Sequence, residues 1–247
     1  KKFSTACKQH RLLFQSEVRI RISISLFPSL TILDLSLLSS GRCLILCRPM
    51  HSNMQQLNTF AGAGQPTLVS YRILTEDDFV AVKELGNRCL PQRYHDDYWL
   101  GLVSSPDTYT TFGIFEVYQD SLIGVVSVLM DVREYCSVEY LSEVEKSLMA
   151  GAAQVCYICT LFVAHTSRSQ GMGRGLLLRC IEHIRSTVPR GSVIYLHVQA
   201  SNQPAISMYT NLGFQQAGMI PGYYKDSFDG TPQNGSMDAL ILYRRFG

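Results

Sequence analysis

"RSQGMGRGLLL", Arg168 to Leu178, sets glycines at 171, 173 and 175 immediately before a run of leucines. A helix starting there exposes unpaired backbone N–H groups and a partial positive charge in its first turn. An anion at that spot gains hydrogen bonds and dipole energy together. Side chains would hold the anion off, whereas Gly171 and Gly173 admit it to the backbone. Arg168 and Arg174 supply charge at the edges, an arrangement that suits a pyrophosphate. The nucleotide-binding GxxxxGK[S/T] pattern is absent. The dinucleotide pattern GxGxxG fails because the third glycine stands at 175 rather than 176, and no acid ends the next strand. A flexible turn into a helix is the bland alternative.

Outward from this loop the order of elements is legible. "TLVSYRIL" alternates as a strand, and Thr75-Glu76-Asp77-Asp78 opens the amphipathic helix "FVAVKELGNRCL", which Leu90-Pro91 breaks. "HDDYWLGLV" predicts a second, short helix. "YTTFGIFEVYQ" and "SLIGVVSVLMDVRE" predict a hairpin round Gln119-Asp120-Ser121. A variable stretch around "EYLSEVEKSLMAGAA" precedes the strand "QVCYICTLFVA", and the glycine loop then leads into the helix "GLLLRCIEHIRSTV". "SVIYLHVQA" reads as a strand and "NQPAISMYTNL" as a helix with Asn202 at its start and Pro204 in its first turn. Gly213-Phe214 ends that helix, and "MDALILYRRF" is a last strand. This order implies an α/β domain with a mixed central sheet flanked by helices.

The 247 residues are 46% hydrophobic and 17% charged, enough for one good core with chain left over. Net charge is +2 with no basic stripe, so nothing points to nucleic acid. A small molecule or a peptide is the expected partner, with no metal. The eight cysteines show no zinc spacing, and free thiols in a reducing, cytoplasmic setting are expected. The CxxC at Cys156 and Cys159 lies in a strand, where positions three apart face opposite ways, and is read as two ordinary half-buried thiols. Residues 1–66 differ in composition and are expected to be an extension, either disordered or a gene-model artefact. Their apolar part carries Pro28, Asp34, Arg42 and many serines, so it offers no span of ~20 apolar residues for a bilayer. "NTFAGAGQPT" reads as a linker, and the folded domain is expected over 67–247, as a monomer.

Arg168-Ser169-Gln170-Gly171-Met172-Gly173 resembles the R/Q-x-x-G-x-G/A motif with which the GNAT acetyltransferase superfamily binds acetyl-CoA, in the family's place between a strand and a helix. "VCYICTLFVAHTSRSQGMGRGLLL", "IYLHVQASNQPAISMY", "LGF" and "PGYYK" resemble the Golgi-associated, NatF-type N-terminal acetyltransferases more than the ribosome-bound or lysine-directed members. The resemblance covers about Leu68 to Gly247 and implies a GNAT fold, acetyl-CoA as cosubstrate and protein N-termini as acceptors.

Acetyl transfer from a thioester to an amine needs a neutral amine and a stabilised oxyanion. An α-amine ionises near ~7.7–8.0, so a modest base suffices, acting directly or through water. Tyr157 and His197 lie on the two strands flanking the glycine-led helix and are able to meet where such strands splay. The resemblance gives both the task of activating the amine. It also places the backbone of Leu161, Phe162 and Val163 beside the pantetheine arm, Asn202 on the CoA side, and Tyr209 where it protonates the leaving thiolate. Substrate contacts fall to Leu90, Pro91, Gln92, Arg93 and Tyr94, and to Tyr223 and Tyr224 of "PGYYKDSFDG". Two departures stand out. Arg93 replaces the acid that the family carries before the tyrosine, and the family's C-terminal membrane-binding segments do not follow, which sets a cytoplasmic location against the cytosolic Golgi face. The rivals are an acetyltransferase for lysine or small amines, which calls for a stronger base such as a carboxylate that neither key strand carries, and a CoA-binding module without turnover.

Overall fold

A computed structural model of the chain describes residues 56–60, 67–225 and 237–247. The extension expected over 1–66 lies outside the described residues, except at one place. Gln56–Phe60, part of which reads as linker, forms strand β1 and pairs antiparallel with β2 (Thr67–Ile73), Gln56 opposite Tyr71 and Phe60 opposite Thr67. A backbone ladder was available to it at the sheet's edge, and glycines nearby in sequence do not prevent that.

The remaining strands are β3 (Tyr109–Glu116), β4 (Ser121–Leu129), β5 (Val155–Val163), β6 (Val193–Gln199), β7 (Gln215–Ile220) and β8 (Ala239–Arg245). They form one sheet in the order β1-β2-β3-β4-β5-β6-β8-β7. All neighbours are antiparallel except β5 and β6, which are parallel and joined through a helix. Sequence periodicity missed β7, because "QQAGMI" is short and carries no period-two alternation; its pairing with β8 makes it a strand.

Helices α1 (Phe79–Cys89), α2 (Asp96–Ser104) and α3 (Glu143–Met149) pack with one core cluster, and α4 (Met172–Thr187) and α5 (Gln203–Asn211) with the other. Helix α1 approaches Trp99, which is fully buried, through Gly86; a Cβ there would collide with the indole ring. Helix α3 comes from the stretch read as variable. Its start is a capping box: the Ser142 backbone N–H and Oγ donate to Glu145 Oε2 at 2.8 and 2.7 Å. Helix α3 leans on β7 at Gly218, where an added Cβ would lie 2.9 Å from Val144. That close approach carries Glu145 inward to 1% exposure.

Two irregularities in the middle of the sheet create the site. Between β4 and β5 the register slips, so that Ser127 faces Thr160 but Val128 faces Ile158, leaving Cys159 as the extra residue of a bulge. The slip reverses which face the side chains take: Tyr157 and Cys159 join the α1/α2 cluster, whereas Leu161 and Val163 pack on the α4 side. Cys156 and Cys159 do face opposite ways, as strand geometry requires. Strands β5 and β6 pair only from Val155–Val193 to Tyr157–Tyr195, and a cleft opens beyond that point.

Candidate active site

The cleft holds about 1010 Å³. Its floor is β5 from Tyr157 to Val163 and β6 from Leu196 to Gln199. One wall is the glycine loop; the other comprises Leu90, Pro91, Gln92 and Tyr94 together with Tyr223 and Tyr224.

The glycine loop leads into α4 through Gly171, whose φ of 82° lies in the left-handed region that only glycine adopts freely. Ser169 has φ 61°, a conformation that costs a serine energy. Gly173 is different. A Cβ there would sit 3.6 Å from Val163 and 3.8 Å from Met208, ordinary contacts, so nothing in the protein itself demands glycine at 173. The room that it leaves opens on the cleft, and so do Ser169, Met172 and the exposed Arg174. Two expected members behave otherwise. Arg168 borders the cleft but directs Nε to the Val163 carbonyl at 3.0 Å and Nη2 to the Cys89 carbonyl at 3.4 Å. Gln170 donates to the Thr166 carbonyl at 3.2 Å and does not line the cleft. Asn202 lines it while serving as N-cap of α5, its Oδ1 accepting from Ala205 N–H at 3.2 Å.

At the point where β5 and β6 part, Tyr157 Oη lies 3.1 Å and Tyr223 Oη 3.3 Å from His197 Nδ1. Tyr223 also hydrogen-bonds Tyr157, and its ring stacks on His197 at 4.5 Å between centroids. On the far side, His197 Nε2 is 3.4 Å from Glu145 Oε1, an ion-pair distance outside hydrogen-bond geometry. Tyr195 Oη donates to the same oxygen at 3.3 Å. The His197 side chain is 2% exposed, and burial lowers its pKa to about 4 against the opposing pull of Glu145. Imidazole is therefore neutral at pH 7. Burial, reinforced by neighbouring phenols, drives Tyr157 and Tyr223 well above 10, so both keep their protons, and those two protons are shared among Tyr157, Tyr223 and the single lone pair of Nδ1. A phenol proton directed at Nδ1 and a carboxylate facing Nε2 favour the tautomer protonated at Nε2, leaving Nδ1 as the basic atom turned to the cleft tyrosines.

Glu145 was not legible as a site residue, although the Ser142-x-x-Glu145 spacing of a capping box marks a helix start there. No carboxylate stands on either key strand, as read from the sequence, but α3 delivers one behind His197 that does not line the cleft. Tyr209 is buried and lines the cleft, its pKa raised chiefly by burial. Tyr94 stacks on Tyr98 at 4.3 Å. Arg93 is exposed and does not line the cleft. Cys159 lines the floor, and burial pushes its thiol up to about 12, which makes it inert as a nucleophile at neutral pH. Among the described residues no cluster has the composition of a metal site, and no helix is long and apolar enough to cross a membrane.

A mixed sheet whose parallel pair splays over a glycine-led helix defines an acyl-CoA N-acyltransferase architecture. The chain belongs to the acetyltransferase (GNAT) family, whose sequence model matches residues 72–214. It is 32% identical over 172 residues to N-alpha-acetyltransferase 60 of Xenopus tropicalis, covering 69% of each chain. It is 25% identical over 169 residues to the histone acetyltransferase MCC1 of Arabidopsis thaliana, covering 66% of this chain and 67% of that protein. Its fold is similar to that of Arabidopsis thaliana NAA60 in complex with acetyl-CoA, with a TM-score of 0.57 at 21% identity over 72% of this chain and 98% of that one.

Proposed function

We propose that this acetyltransferase moves the acetyl group of acetyl-CoA to the N-terminal α-amine of proteins, by direct attack of the amine on the thioester. The observation that carries this reading is the neutral, buried His197 with Tyr157 at hydrogen-bond distance, at the mouth of the β5/β6 splay. The amide N–H groups opening α4, the left-handed Gly171 and the side-chain-free space at Gly173 fit a diphosphate, with Arg174 at its edge. Bound there, acetyl-CoA supplies the activated acyl group; the chain's own residues position the acceptor and handle its proton. Tyr157 Oη, alone or through water, takes up the amine's proton as His197 Nδ1 accepts that of Tyr157. Tyr223 shares the Nδ1 site and, with Tyr224 and Tyr94, offers rings with polar tips to the peptide. Tyr209 holds a proton available to a departing thiolate.

A lysine acceptor is the second reading, favoured by Glu145 and by the similarity to a histone acetyltransferase. Against it, Glu145 is 1% exposed behind His197, with Oε2 held by Ser142 and Oε1 by Tyr195, so it does not meet an incoming ammonium. The test is acetylation of paired peptides, one with a free N-terminus and lysines blocked, the other with its N-terminus blocked and lysines free. Label on the first alone supports the proposal; label on the second alone overturns it.

A further inference from the structure

Helix α1 ends at Cys89, and the backbone that follows it walls the acceptor side of the cleft. The last carbonyls of a helix lack partners within it. Leu90 N–H closes on Gly86 O at 2.9 Å, but Arg88 O and Cys89 O are met from the glycine loop, far along the chain. His165 Nε2 lies 3.2 Å from Arg88 O, and Arg168 Nη2 donates to Cys89 O at 3.4 Å. Arg168 Nε meanwhile holds Val163 O, the carbonyl that also accepts from Cys89 Sγ at 3.6 Å. A guanidinium at a helix C-terminus is favoured by the dipole. The next residue, Leu90, is extended (φ −99°, ψ 139°), as a residue before proline must be, so the acceptor loop leaves the capped end along a defined line.

We propose that Arg168 and His165 form a clasp through which filling of the glycine loop positions the acceptor loop, so that coenzyme A and the acceptor peptide bind with positive coupling. This rests on reading the loop as the diphosphate site and residues 90–94 as the acceptor wall. Both clasp residues are exposed, so their bonds exchange with water when the loop moves. Arg168 is flanked by the dihedrals that a diphosphate would hold, at Ser169 and Gly171. An anion seated on those N–H groups therefore fixes the backbone from which Arg168 reaches α1, and the coupling is reciprocal. Arg168 is thus a positioning residue for the acceptor, while Arg174 remains the arginine open to the anion.

The test is amide hydrogen exchange with and without coenzyme A on the wild type, on Arg168→Lys and on Arg168→Met combined with His165→Ala. In the wild type, coenzyme A slows exchange at residues 171–175 and also at 88–94; in the double variant only 171–175 respond, and Arg168→Lys restores part of the second effect. In parallel, a free-amine peptide binds the wild type at least about fivefold tighter with acetonyl-coenzyme A present, and less than about twofold tighter in the double variant. Equal protection of 88–94 in wild type and double variant, or none in the wild type while 171–175 are protected, overturns the clasp. If 171–175 themselves do not respond, the diphosphate reading fails and the clasp falls with it.

Discussion

The glycine loop and the tyrosine–histidine cluster serve the same cleft but are built in opposite ways. The loop is backbone: it depends on a left-handed Gly171, a side chain missing at 173 and the N–H groups of one helix start, all within seven consecutive residues. The cluster is side chain: Tyr157 from β5, His197 from β6, Tyr223 from the turn after β7 and Glu145 from α3 meet inside the protein. A backbone site is resistant to substitution except where a side chain intrudes. A side-chain site depends on each member's burial and tautomer, so single changes there should reach the chemistry.

The largest effect separating the two is expected from the cluster. Tyr157→Phe and His197→Ala should each lower kcat by about 10²–10⁴ while leaving acetyl-CoA affinity nearly unchanged, measured by steady-state kinetics beside calorimetry. The pH profile sharpens this. With His197 at about 4, kcat/KM should rise toward the α-amine's ionisation near ~7.7–8.0 with no break near 6.5. The sign for stability follows from the same shift. The unfolded chain binds the proton from about 6.5 and the folded chain only near 4, so His197 withdraws stability as pH falls through that window. A kinetic break at 6.5 would show the imidazole to be exposed to solvent.

Next comes the loop. Gly173→Glu should weaken coenzyme A binding by about 10–100-fold, ~1.4–2.7 kcal/mol, without lowering the melting temperature, because the protein leaves space for a Cβ there. Gly173→Ala should do less, whereas Gly171→Ala strains a φ of 82° and should cost folding stability as well. If Gly173→Glu binds coenzyme A normally, the backbone cradle is wrong.

A smaller effect should come from α3, which touches the cluster without lining the cleft. Ser142→Ala removes the cap and should cost ~0.5–2 kcal/mol of stability in denaturant unfolding. It should also lower kcat by a factor of about two to ten with the acetyl-CoA KM unchanged, as Glu145 loses its hold behind His197. The smallest is expected at the rim. Arg93→Glu should move the preference between Met-Glu and Met-Lys peptides by only ~0.5–1 kcal/mol, and the shift should shrink in salt, because the guanidinium is exposed and off the cleft wall.

Most of the fold was legible because most of it is local. Alternation marked β2, length and β-branched content marked the β3–β4 hairpin, an apolar run marked β5, the leucine run and its glycines marked α4, and Asn202 with Pro204 marked α5. The glycine loop was legible as a helix start for the same reason: helix-start electrostatics and glycine dihedrals are properties of neighbouring residues. Strands β1 and β7 were not, since their membership depends on a ladder offered by distant chain rather than on their own patterns. Tyr157 and His197 were recognisable as candidates from the strands that carry them. Their 3.1 Å separation, the neutrality of the imidazole, the approach of α3 to Gly218 through Val144, the burial of Glu145 and the turning of Arg168 to α1 were decided only by tertiary structure. Burial and proximity between residues tens of positions apart belong to the packed chain, and from them come the tautomer and pKa on which the proposed chemistry depends.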